Sequence, residues 1–197
     1  MTELPALIAA FTTLFIIIDP PGLAPVFIAL TQGMGPAQRR AIATRAVLVA
    51  TALMMMFLLL GEAVLGFIGI SMDAFRIAGG ILLFLTALDM LFQRRQARRE
   101  DNAAEGQAEH HDDPSVFPLA LPLIVGPGAI TTVILLSGQA QGAADLGAIA
   151  GVIVAVLAIV MLAFIAAPAI ERALGKTGLN IVTRVLGMLL AALAVQF

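Results

Sequence analysis

Long apolar stretches, separated by short clusters of charged, glycine and proline residues, run through the whole chain. Runs of about 20 apolar residues, the length a helix needs to cross a bilayer core of about 30 Å, recur throughout. They lie at 4–30, 46–70, 72–92, 115–137, 147–167 and 179–197. The pattern predicts an all-α, polytopic membrane bundle of six transmembrane helices. The first run opens after Met1, Thr2 and Glu3 without a basic leader and continues past the length of a signal-peptide core, so it is expected to remain a span.

Composition sharpens this picture. Hydrophobic residues make up 60% of the 197 and charged residues 12%, with a mean hydropathy of +1.02. So few charges cannot coat a water-soluble globule, and so apolar a chain is not a disordered polymer. Zero cysteines exclude a disulfide scaffold or zinc ribbon, and a net charge of -2 gives no electrostatic case for nucleic acid. The expected partners are the lipid bilayer and a small-molecule substrate. No cofactor or metal is expected, and the chain is compatible with a homo-oligomer.

The basic residues set an orientation. Arg39, Arg40 and Arg45 follow the first run, Arg94, Arg95, Arg98 and Arg99 the third, and Arg172 and Lys176 the fifth. Because Lys and Arg are retained on the cytoplasmic side, both termini are expected to face the periplasm or exterior. The reading is one membrane domain, 1–197, in which a polar cytoplasmic linker, 93–114, joins a half at 1–92 to a half at 115–197. Within the linker, Glu109, His110, His111, Asp112 and Asp113 lack the i, i+4 histidine spacing of a helical metal site and are expected to be solvated.

The two halves share a sparse pattern. Pro21-Gly22 and Pro127-Gly128 each interrupt the first span of a half. Glu62 and Glu171 close the second spans. Arg76, Gly79 and Leu82 open the third span of one half as Arg184, Gly187 and Leu190 do in the other. Three spans per half is an odd number, so the second copy enters the membrane inverted. The prediction is two inverted three-helix repeats with broken helices 1 and 4, an arrangement found in many secondary transporters.

The chemistry is expected at the two breaks. Proline removes backbone donors, so Asp19 should cap a second half-helix that starts with Pro20, Pro21 and Gly22, and Gly126, Pro127 and Gly128 should act likewise. Non-helical backbone is tolerated only away from lipid, which requires the breaks to meet inside the bundle. Two electropositive helix ends there would suit a carboxylate. Thr131 and Thr132 would add hydroxyls, and Arg76 and Arg184 would bind the carboxylate or extend to the interface. Asp19 is either a plain cap or a counter-charge for an ammonium or proton. Asp89 is expected at the surface, Met54, Met55 and Met56 toward lipid, and Gly79, Gly80, Gly147, Gly151 and Gly187 at helix contacts.

Asp19-Pro20-x-Gly22-x-x-Pro25-x-Phe27, Pro122-Leu123-x-x-Gly126-Pro127-Gly128-Ala129-Ile130 and the paired Arg-x-x-Gly motifs resemble the MarC family of bacterial inner-membrane proteins. The resemblance covers nearly the whole chain. It implies six helices, a multi-pass place in a bacterial inner membrane, and kinship with LysE-like exporters, which move small metabolites such as amino acids outward. The expected function is secondary transport of a carboxylate-bearing or zwitterionic metabolite. The alternatives are a passive channel or a non-transporting scaffold. An enzyme is not expected, since GxSG, GxGD and HExxH motifs are absent.

Overall fold

The computed structural model describes residues 4–108 and 113–196, and no strand occurs among them. Helices α1 (Leu4–Ile18) and α2 (Pro20–Leu30) are followed by α3 (Pro36–Ile68), α4 (Met72–Leu91) and α5 (Arg94–Ala108). After an irregular coil, Ser115–Ile124, come α6 (Pro127–Ser137), α7 (Ala143–Ile165) and α8 (Ala167–Ala194).

Five helical paths are long and apolar enough to cross a membrane: Leu4–Leu30, Pro36–Ile68, Met72–Leu91, Ala143–Ile165 and Thr177–Ala194. The coil at Ser115–Ile124 and α6, bent by 60°, make a sixth if they count as one span. The described residues are thus all-helical in class, with five to six candidate membrane spans.

Local chemistry explains the boundaries. Pro36 sits in the first turn of α3, and Gly69, at φ 86°, ends it in the left-handed region. With 33 residues, α3 is about 50 Å long and outreaches the bilayer core, so the turns carrying Arg39, Arg40 and Arg45 extend past the apolar stretch. Ser71 caps α4 by accepting from Ala74 N at 3.2 Å. Gln93, at φ 62°, turns the chain into α5.

The coil at Ser115–Ile124 departs from the expected helix. Phe117 and Leu121 are extended, the Phe117-Pro118 and Leu121-Pro122 peptides are cis, and the bonds run i to i+5, as in Val125 N to Ala120 O at 2.9 Å. Pro118 and Pro122 withdraw the donors a regular helix would use. Asp113 ties the start of this coil to α3, accepting from Ser115 N at 3.1 Å and from Arg45. Burial pushes the Asp113 carboxyl up, but those donors outweigh it and hold the group below its ordinary value.

The interrupted first span is the centre of the molecule. Of its most apolar window 72% is buried, against 22% to 39% for the other four spans. Outward faces carry Leu59, Phe67, Ile77, Ile81, Leu162 and Met188, all exposed, as a lipid-facing surface requires. Met54 is a correction to the sequence reading: it is buried, and of Met54, Met55 and Met56 only Met56 is exposed.

Helices α4 and α8 run antiparallel, Gly80 lying against Ala194 at one end and Gly187 against Ala87 and Met90 at the other. A Cβ at Gly79 would come within 2.7 Å of Thr131 Cγ2, so α4 and α6 also approach closely. Gly147 and Gly151 differ from the expectation, with nothing within 4 Å of the place a Cβ would take.

Candidate functional site

The helix path stops for one residue at Asp19, which adopts φ 55°, ψ 66°. Pro20 and Pro21 have no N–H to offer Ile16 and Ile17, and the next donor, Gly22 N, turns to Asp19 Oδ1 at 3.2 Å. The carbonyls at the end of α1 are therefore left without their helical partners.

Two arginines of α5 fill that need. Arg95 Nη2 donates to Ile17 O, and Arg99 Nη2 donates to Ile18 O at 2.8 Å. Arg99 Nη1 also donates to Asp19 Oδ2 at 2.9 Å. Asp19 is fully buried and the Arg99 side chain nearly so, making this a buried ion pair with both carboxylate oxygens engaged. The negative end of α1's dipole is thus met by guanidinium groups. Gly22 is dictated by the same contact, because a Cβ there would overlap the Asp19 carboxylate and lie 2.7 Å from Arg99 Nη1.

The second break lies close by. Gly126 precedes α6 without a side-chain cap, and Pro127 occupies its first turn. The first intrahelical bond is Ile130 N to Gly126 O at 3.1 Å, so the N–H groups of Gly128 and Ala129 precede the helical ladder. A cavity of about 200 Å³ joins this helix start to α5, lined by Gly126, Gly128, Ala129, Arg95, Arg98 and Arg99. Ile17, Thr86, Asp89, Pro122, Leu123, Ile124 and Pro127 complete its wall. Asp89 is another correction: it is only 22% exposed and pairs with Arg98 at 3.0 Å, on the cavity wall rather than at the surface.

The sequence-selected residues divide into two sets. Asp19, Pro20, Pro21 and Gly22 form the first break, Gly126, Pro127 and Gly128 the second, and Arg95 and Arg99 reach both; contrary to the expectation only the second set lines the cavity. Thr132 Oγ1 donates within its own helix to Gly128 O at 2.9 Å, and Thr131 turns its methyl toward Gly79. Thr86, whose hydroxyl donates to Leu82 O, is the threonine on the cavity wall. Arg76 lies about 20 Å along α4 from Asp89 and pairs at 3.6 Å with Asp73. Arg184 is exposed on α8. Neither lines the cavity.

In the sequence, Arg95, Arg98 and Arg99 read only as orientation-setting charges, Asp89 only as a surface charge, and Thr86 does not stand out at all. The signal present was Arg95 and Arg99 at i and i+4, one face of a helix, directly after a span. Among the described residues no cluster of His, Cys, Asp and Glu suits a metal ion, and positions 109–112 of the acidic histidine run lie outside them.

Apolar helices wrapped around a buried, arginine-braced interruption define a polytopic integral membrane protein. The chain belongs to the MarC family, whose model, described as MarC family integral membrane protein, matches residues 4–197. It is 41% identical to a UPF0056 membrane protein of Archaeoglobus fulgidus, over 96% of this chain and 88% of that one. The UPF0056 membrane protein YvbG of Bacillus subtilis is 36% identical over 96% and 90% of the two chains. YhcE of Escherichia coli, likewise a UPF0056 membrane protein, is 33% identical over 99% and 91%. These relatives come from archaea as well as bacteria, so the likeness supports a multi-pass membrane protein without restricting it to a bacterial inner membrane. No solved structure matches the chain.

Proposed function

We propose that the chain is a secondary transporter, not an enzyme, for a small carboxylate-bearing or zwitterionic metabolite such as an amino acid. The observation that carries this reading is the cavity in which the uncapped start of α6 faces Arg95, Arg98 and Arg99. Backbone N–H groups at a helix N-terminus and guanidinium forks both recognise carboxylates, and here they line one space. A volume of about 200 Å³ is below the roughly 300–1,000 Å³ usual for drug-sized ligands, which limits the occupant to a small metabolite.

In this proposal the two halves are inverted repeats, and the packing agrees with that reading. Helices α3 and α4 pack on their counterparts α7 and α8, and α4 and α8 run antiparallel. An antiparallel pairing of equivalent helices is what two oppositely inserted halves produce. In this reading Asp19 is a positioning residue: it caps α2 and holds Arg99, while Arg98, on the more exposed side, is the group released to the ligand.

The test is uptake of radiolabelled amino acids and short carboxylates into proteoliposomes. The expected result is saturable uptake of at least one compound, reduced about tenfold or more by Arg98→Gln through loss of a charge-assisted hydrogen bond. Arg98 is largely exposed, so its replacement leaves the fold intact. Flux that never saturates would replace the carrier with a channel. Uptake equal to background for every compound would remove transport of this class.

A further inference from the structure

We propose that a groove on the arginine-rich side, between α2, α3, α7 and α8, binds one phospholipid with an anionic headgroup. The groove encloses about 620 Å³ and is separate from the cavity beside α5. It does not depend on the transport reading.

Its two ends differ chemically. One is apolar: Phe27 of α2 stacks on Phe164 of α7 with ring centroids 4.5 Å apart, and Ile28 and Ile165 continue the wall. Ile165 is 55% exposed, so this wall opens outward to the surroundings of the bundle. The other end carries Arg39 and Arg40 in the first turns of α3. Arg39 is held in place, its Nε donating to Thr31 O at 3.2 Å at the end of α2.

Neither arginine has an acidic partner among the described residues. That separates them from Arg45, Arg98 and Arg99, which pair with Asp113, Asp89 and Asp19. Two cations at a helix N-terminus also oppose the macrodipole, an arrangement that an adjacent anion relieves. A soluble anion would satisfy the arginines but leave the apolar wall facing nothing. An acyl chain alone would satisfy the wall and ignore the charges. A phospholipid bearing a net negative headgroup matches both ends, its phosphate at Arg39 and Arg40 and a chain along Ile28 and Ile165. Basic pockets between membrane helices hold such lipids by this combination.

The purified, delipidated protein is tested by thermal stability and native mass spectrometry with three probes: phosphatidylglycerol, phosphatidylcholine and glycerol 1-phosphate. The expected result is retention of one phosphatidylglycerol with about tenfold or greater preference over phosphatidylcholine, lost in the Arg39→Gln, Arg40→Gln double variant. Arg40→Gln alone, at an exposed position, lowers the preference without a change in unliganded melting. Equal retention of both lipids overturns the proposal, as does an undiminished preference in the well-folded single and double variants. Stabilisation by glycerol 1-phosphate equal to that by the lipid overturns it in favour of a soluble anion.

Discussion

Asp19 and Arg99 form a pair whose members cannot be removed separately without consequence. Asp19→Asn leaves a guanidinium buried against the end of α1 with a weaker acceptor, and Arg99→Gln leaves a buried carboxylate. Breaking a buried pair from one side costs about 3–5 kcal/mol. Either single variant is therefore expected to lower the melting temperature of the detergent-solubilised protein markedly, while the double variant recovers part of the loss. Additive losses in that cycle would mean the two side chains do not interact. The smaller Arg45–Asp113 link responds to acid. Its folded carboxyl lies below the ordinary 3.8, so the stabilisation is present at pH above the unfolded value and disappears as pH falls through the folded one. With Asp113 38% exposed the effect is modest. A melting difference between wild type and Asp113→Asn that is present at pH 7 and fades on acidification is the expected outcome, and a pH-independent difference would contradict the linkage.

Helix α5 shows how an element can be hidden by its own polarity. Positions 93–114 read as a linker because few apolar residues occur there, yet Arg94–Ala108 is helical and Arg95 and Arg99 reach the interior. Only the partner can reveal this: carbonyls stripped of donors by Pro20 and Pro21 create a demand that two arginines distant in sequence satisfy. The reverse error occurs at Ser115–Ile124, where apolar content suggests a helix but Pro118 and Pro122 prevent one. The five long spans were legible because apolar runs of bilayer length leave few alternatives, and the interruption at Asp19 because its prolines are local. Where Arg76 and Arg184 point was not legible, since one motif is served by several helix rotations. The α4–α8 contact gives a direct test of packing. Gly187→Val would drive a side chain into Met90 and the Ala87 carbonyl and is expected to destabilise by about 1–3 kcal/mol. Gly151→Ala meets nothing within 4 Å and is expected to be neutral or to raise helix stability by up to about 1 kcal/mol. Thermal melts of the two variants check the pair, and equal losses would contradict the assigned contact.

At the scale of the molecule, the interrupted first span is the most buried of the five long spans, and the longer helices shield it from lipid. This placement lets polar backbone and the buried Asp19–Arg99 pair, with Arg95 beside it, exist within an otherwise apolar bundle. It also puts the start of α6 and the face of α5 on one small cavity, on which the functional proposal stands. The decisive measurement is equilibrium binding of radiolabelled amino acids and short carboxylates to the purified protein, comparing wild type with Arg98→Gln and with Arg172→Gln, whose arginine is exposed outside the cavity. Saturable binding of at least one compound by wild type and Arg172→Gln, weakened about tenfold or more in Arg98→Gln, is the expected result. Binding that all three proteins share equally, or none by any of them, would contradict an anion site between α5 and α6.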